Sequence, residues 1–323
     1  MPRPAGALME RERDQPDLPH DPRDAALAWF VRLESGDADA ADRRAFHAWL
    51  ARDPAHRREY DRLAGLWGDL DRVADPRGNR RAAPTRRRFL AFGAAGGAAV
   101  CAAALGGAVV LTGWPGDLKT GIGERRTVAL DDGSVLTLDA DSALSVEFSA
   151  KERRVRLTEG RAHFVTAPDP QRPFVVTCAN GRVATADASF VVHRCLDSVV
   201  VAVETGSASL TTGSEAPLPI AAGQSRSYGP DGPGPLLSQG VAVENAWRHG
   251  RLVFQGQPLD AVIADLNRYH PARIVLWDRP LAGLRFDGSV DISRPDAALN
   301  AILRTLPLRT LRPVPGLVII RSV

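Results

Sequence analysis

Residues 89–114 read FLAFGAAGGAAVCAAALGGAVVLTGW, 26 residues without a charged side chain in a protein that is 24% charged over its whole length. As a helix this stretch would be about 39 Å long, against about 30 Å for the hydrocarbon core of a bilayer. A buried core helix is the alternative. Such helices rarely need more than about 14 uniformly apolar residues, and this one would be apolar on every side. The stretch is therefore read as a transmembrane helix, although its Ala/Gly-rich composition makes insertion less favourable per residue than for a Leu-rich span.

The flanks orient it. Arg77, Arg80, Arg81, Arg86, Arg87 and Arg88 precede the span with no acid among them, whereas Lys119, Arg125 and Arg126 beyond it are diluted by Asp117 and Glu124. Positive residues stay inside, so the N-terminus is expected in the cytoplasm and the C-terminus in the periplasm of a single-pass inner-membrane protein. The apolar run is longer than a signal-peptide core of about 7–15 residues and follows 88 others, so it reads as an anchor and not as a cleaved leader.

The 323-residue chain is thus divided into an inner part with 18 Lys/Arg against 16 Asp/Glu and an outer part with 23 against 22. Neither balance suggests a nucleic-acid surface. Cys101 falls in the span. Cys178 and Cys195 fall outside it, where an oxidising compartment would allow them to pair, although two cysteines in a large domain are more often separate buried residues.

Residues 1–19 are rich in charge and proline and are expected to be disordered. Between residues 20 and 75 three helices are expected. The first carries Leu27, Phe30 and Val31 and ends at Ser35-Gly36-Asp37. The second carries Phe46, Trp49 and Leu50 and stops at Asp53-Pro54. The third carries Tyr60, Leu63, Trp67 and Leu70 on one face. A bundle this small has a marginal core, so its aromatic residues serve either that core or a partner's groove. Residues 76–88 read as a basic linker.

After the span the pattern changes to short alternating strands with turn residues every 8–12 positions, an all-β roll or sandwich over residues 117–228. Asp131-Asp132-Gly133 and Asn180-Gly181 mark hairpins, and the acidic pair reads as solvated turn residues. Residues 229–246, rich in Gly and Pro, read as a linker. Residues 247–323 then give a β-α-β-β-α-β order, with Leu259, Val262, Ile263 and Leu266 on one helix and Leu299, Ile302, Leu303 and Leu306 on the other.

Several runs carry a resemblance. Ala25-Ala26-Leu27-Ala28-Trp29-Phe30, Phe46-His47-Ala48-Trp49-Leu50 and Asp53-Pro54-Ala55-His56 resemble the N-terminal domain of the FecR family of transmembrane sigma-factor regulators. Leu130-Asp131-Asp132-Gly133-Ser134, Glu159-Gly160-Arg161-Ala162-His163-Phe164-Val165 and Arg172-Pro173-Phe174-Val175-Val176 resemble that family's β domain. The last 77 residues resemble the short N-terminal domain of secretins and TonB-dependent receptors. The resemblance implies an anti-sigma factor that holds an extracytoplasmic-function sigma factor on the cytoplasmic side. It also implies a signal from the N-terminal signalling domain of a TonB-dependent outer-membrane receptor, in iron or siderophore uptake control, with a membrane protease as a further partner. Asp187-Ala188 stand where the family has Gly-Thr ahead of the Phe of Ser189-Phe190, so the Thr hydroxyl on which self-cleavage would rely is absent.

Trp29, Trp49, Tyr60 and Trp67 are the expected sigma-factor contacts. Arg273, Val275 and the strand Leu317, Val318, Ile319 and Ile320 are the expected receptor contacts, because a free sheet edge accepts an added strand and the preceding linker would let the last domain move by itself. No cofactor is expected: the seven histidines are dispersed, and no His-x-x-x-His, Cys-x-x-Cys, nucleophile-elbow or phosphate-loop pattern occurs. The readings from other classes are an anchored envelope scaffold or glycan-binding module without a role in transcription, and an anchored periplasmic enzyme.

Overall fold

A computed structural model of the chain describes residues 18–34, 38–72, 109–110, 117–213, 216–237 and 240–323. Of the expected transmembrane helix only Val109 and Val110 are among these. They form a two-residue strand parallel to Thr127 and Val128. The rest of residues 89–114, the linker 76–88 and residues 1–17 lie outside the described residues. Among the described residues no helix is long and apolar enough to cross a membrane.

The N-terminal unit is built on α1 (Pro22–Glu34), α2 (Ala40–Arg52) and α3 (Pro54–Arg72). Each boundary has a local cause. Asp39 caps α2, accepting from the Asp42 backbone N–H at 2.8 Å, while the Asp42 carboxylate accepts from the Asp39 N–H, the reciprocal arrangement of a capping box. Asp42 also pairs with Arg32 at 2.6 Å and so ties α1 to α2. Asp53 ends α2 in an extended conformation, and Pro54 opens α3 where its missing N–H is of no consequence. Ala25, Ala26, Trp29, Phe46 and Trp49 form the core of this unit, with Tyr60 half-buried beside them.

The second unit carries the strands. In the roll, two sheets share one bent strand, Val199–Thr212. On one side of it lie Ala188–Arg194, Arg161–Val165, Val135–Leu138 and Arg126–Ala129 in order, with Ser225–Gly229 and Gly232–Leu237 beyond its other edge. Its other half pairs with Gly181–Thr185, followed by Phe174–Cys178, Arg153–Glu159, Ala143–Phe148 and Asp117–Lys119. A strand that switches sheets needs a corner. Gly206 supplies it at φ +74°, and a Cβ there would stand 2.4 Å from the Asp187 carbonyl oxygen. Leu136, Leu138, Phe164, Phe174, Phe190 and Leu210 fill the space between the sheets.

Two expectations change. The segment 229–246 contains the strand Gly232–Leu237, paired with Ser225–Gly229, and α4 (Val241–Asn245). Pro233 and Pro235 are tolerated there because an edge strand does not need every N–H. The Asn180-Gly181 hairpin turns one residue earlier, at Ala179-Asn180, with Ala179 at φ +48°. Gly181 is already in the strand, and a Cβ on it would lie 2.3 Å from the Tyr228 ring.

The C-terminal module has one strand more than the β-α-β-β-α-β order, because Leu308–Leu311 and Leu317–Ser322 are separate, antiparallel strands. It runs through the strand Arg251–Pro258, α5 (Leu259–Asn267), the strands Arg273–Leu276 and Arg285–Asp291, α6 (Pro295–Thr305), and the strands Leu308–Leu311 and Leu317–Ser322. Arg251–Pro258 pairs with Arg285–Asp291 alone, while Leu317–Ser322 lies between Arg273–Leu276 and Leu308–Leu311. Trp247, Leu259, Val262, Leu266, Leu299 and Ile302 are fully buried in its core.

Candidate functional site

The module is not a free appendage of the roll. Arg161, on a central strand of the roll, is buried and directs its guanidinium at Asp139, with Nη2 2.7 Å and Nε 2.8 Å from Oδ2. Two groups of the module converge on the same carboxylate: the Tyr269 hydroxyl donates to Oδ1 at 2.6 Å, and Arg268 Nη2 lies 3.7 Å from Oδ2. Arg268 also donates to the Ala140 carbonyl at 2.7 Å and to Ser142 Oγ at 3.0 Å. The module's Trp247 lies beneath the Arg161 guanidinium, 5.5 Å from ring centre to cation. A buried charge persists only when paired and hydrogen-bonded, and here the partners come from both domains.

Beside this centre His193, nearly inaccessible, is held at both ring nitrogens. Nδ1 is 3.0 Å from Glu244 of α4 and Nε2 is 3.2 Å from Asp265 of α5. Burial opposes a charge on the ring, and so does Arg161. The Cys195 sulfur and the Asp265 and Glu244 carboxylates outweigh them and hold the His193 pKa well above the usual value. Burial likewise opposes charge on Asp265, but His193, Arg161 and Arg268 hold its pKa well below the ordinary carboxylate range.

A second cluster lies on the same face of the roll. His163 Nε2 is 2.9 Å from Ser189 Oγ and 3.1 Å from Glu204 Oε2, and the module's Arg248 donates to Glu204 at 3.1 Å and to Asn245 at 3.1 Å. Burial first, then the Arg248 charge, pushes the His163 pKa down to about 4, against a smaller opposing pull from Glu204. Serine, histidine and glutamate together invite comparison with a nucleophilic triad. In a triad the carboxylate holds the ring nitrogen remote from the nucleophile, whereas here serine and glutamate meet at the same Nε2. The arrangement joins two domains and does not relay a proton.

The residues named from the sequence are placed differently. Trp29 and Trp49 are core residues of the helical unit, 1% and 4% exposed. Trp29 lies 5.6 Å from the Phe46 ring, and Trp49 stacks on His56 at 4.4 Å. Tyr60 packs on Phe46 at 4.6 Å, half-buried. The side chain of Trp67 lies outside the described residues. Leu317, Val318, Ile319 and Ile320 occupy a central strand with neighbours on both sides and are at most 3% exposed. They offer no free edge, a correction that four consecutive apolar residues could have signalled, because that run suits a strand covered on both faces. Arg273 and Val275 do lie on an edge strand, Arg273 exposed and Val275 half-buried.

Asp132 is also corrected. It is no solvated turn residue but receives the buried Arg153 at 2.8 Å, with both side chains nearly inaccessible. Cys178 and Cys195 are free thiols, not a disulfide. Among the described residues no group of His, Cys, Asp and Glu side chains has the geometry of a metal site.

Comparison with known proteins fits this architecture. Residues 116–209 match the family described as FecR protein, and residues 24–66 match a domain of unknown function, DUF4880. Two crystal structures of a candidate anti-sigma factor from Parabacteroides distasonis are similar to the chain, with 26% and 25% identity and a TM-score of 0.59 in each case. They cover 64% of this chain and 99% and 98% of theirs. No curated protein matches. The chain thus contains a region that matches the FecR family model behind a region that matches DUF4880.

Proposed function

We propose that the protein is an anti-sigma regulator of the inner membrane. On this reading residues 20–75 hold an extracytoplasmic-function sigma factor in the cytoplasm, and the roll with its C-terminal module receives a signal in the periplasm from a TonB-dependent receptor, in iron or siderophore uptake control. The observation that carries the reading is the order of the two matched regions, DUF4880 at 24–66 and FecR at 116–209, in a chain similar to a candidate anti-sigma factor. The uncharged stretch 89–114 stands between them. Within the module, Arg273–Leu276 is the strand best suited to receive a partner, because an edge offers unpaired backbone groups.

The burial of Trp29 and Trp49 assigns them to the shape of the helical unit, leaving exposed helix surface and Tyr60 for the sigma factor. The test is capture of the cell's alternative sigma factors by the tagged full chain. Capture that disappears on deletion of residues 20–75 supports the proposal; no capture, or capture unaffected by the deletion, removes it. Topology is tested separately. Alkaline phosphatase fused after residue 80 is expected to be inactive and after residue 230 active, and the reverse pattern would refute the two-sided arrangement.

A further inference from the structure

The roll and the module meet across buried charge, and one group stands at the centre of the seam. His193 projects from the roll strand Ala188–Arg194 between α4, which leads into the module, and α5 of the module, with Glu244 of α4 on one ring nitrogen and Asp265 of α5 on the other. Arg161, from the neighbouring strand, lies 3.8 Å from the same Glu244 oxygen, and the Cys195 sulfur lies 3.6 Å from Nδ1. Arg268 is the further cation acting on Asp265. A cleft of about 970 Å³ runs along this seam and is bordered by His193, Glu244 and Asp265, so the pair is covered but not sealed.

We propose that His193 is a latch operated by its own charge: as an imidazolium it clamps α4 and α5 to the roll, and without that charge the module loosens while both domains stay folded. Each domain has a separate apolar core, one centred on Phe164, Phe174 and Phe190 and the other on Trp247, Leu266 and Leu299. Loss of the clamp therefore leaves each core intact. What it leaves behind is two half-buried carboxylates, 15% and 21% exposed, facing an uncharged ring, a costly state that separation of the surfaces relieves by admitting more water. The inference concerns the seam alone and does not rest on the sigma-factor reading.

Backbone hydrogen exchange of the full chain tests it. At pH 7 His193→Gln should raise exchange at least tenfold in α4, in Arg251–Pro258 and in α5, while the central strand Phe174–Cys178 keeps its protection. Asp265→Asn, which keeps the shape of the site and removes one carboxylate, should give a smaller rise in the same segments. Raising the pH of the unaltered protein through the His193 pKa should lower protection, measured relative to the intrinsic exchange rate at each pH, in the same segments, and the protection factors of His193→Gln should not change with pH in this way. Unchanged exchange in His193→Gln would overturn the proposal. So would loss of protection in Phe174–Cys178 together with the module, because that result makes the two domains one folding unit with no latch between them.

Discussion

His163 and His193 sit on adjacent strands of one sheet, two positions apart along the ladder, since His193 pairs with Arg161 and Val191 pairs with His163. Both are buried and both meet the C-terminal module, yet they carry opposite charge states. Burial disfavours the imidazolium at each site. At His193 the Cys195 sulfur and the carboxylates of Asp265 and Glu244 overcome it. At His163 the module contributes Arg248, which adds to the burial, and Glu204 is too exposed to restore the balance. The same desolvation thus gives a cation in one place and a neutral ring in the other, and the sign of the neighbouring charge decides.

The largest effect at the seam comes from removing the anion of the neighbouring buried centre, which shares Arg161 with the His193 site. Asp139→Ala leaves Arg161, Arg268 and Tyr269 buried around a missing carboxylate, and a broken buried pair costs about 3–5 kcal/mol. Denaturant unfolding should show a loss of that size, against less than about 1 kcal/mol for Glu152→Ala, whose arginine partners are two-fifths exposed. Equal losses would mean that water screens the seam as it screens the surface.

The next test separates the two histidines by pH. His163 takes a proton in the unfolded chain near 6.5 but in the folded protein only near 4. Between those values the unfolded state binds more protons, so stability falls as pH falls, by about 3 kcal/mol across the window. His163→Gln should abolish that acid limb. The sign is reversed at His193, whose pKa is raised in the folded state. Its contribution is complete below about pH 6.5 and is lost as pH rises through the folded value. His193→Gln should flatten the alkaline limb, worth about 2 kcal/mol for hydrogen bonds to a charged group, and leave the acid limb unchanged.

Much of the architecture was legible before the structure, and the seam was not. Helix ends declared themselves through Asp53-Pro54, and the strands of the roll through Asp131-Asp132-Gly133, because these signals act within a few residues. The facing of strands on other domains is a long-range property. Asp139 and Asp265 are 126 positions apart, and nothing local distinguishes either from a solvated acid. One trace was present. Ala188 to His193 is buried at every position, and its apolar run through Phe190-Val191-Val192 lacks the alternation of a sheet with one wet face. That run announces a strand covered on both sides and therefore something packed on the outside of the roll. Proline and glycine in residues 229–246 argued instead for a free linker, and the argument failed because an edge strand accommodates both residues.

The smallest expected effect sharpens the electrostatic cause. Arg248→Ala removes the cation beside His163 and should raise the pKa of that ring toward its ordinary value while leaving His193 unaffected. A ring that did not move would assign the depression to burial alone.

The most direct measurement is an NMR titration of the histidine Cε1–H resonances of the full chain from pH 4 to 9, with His163 and His193 assigned by their glutamine variants. Different charge states across the seam require that His193 lose its proton only well above the usual histidine range and that His163 begin to take a proton only below about pH 5. Two superimposed transitions near pH 6.5 would contradict the account, because rings that titrate as they do in water are not held by the buried charges of the module.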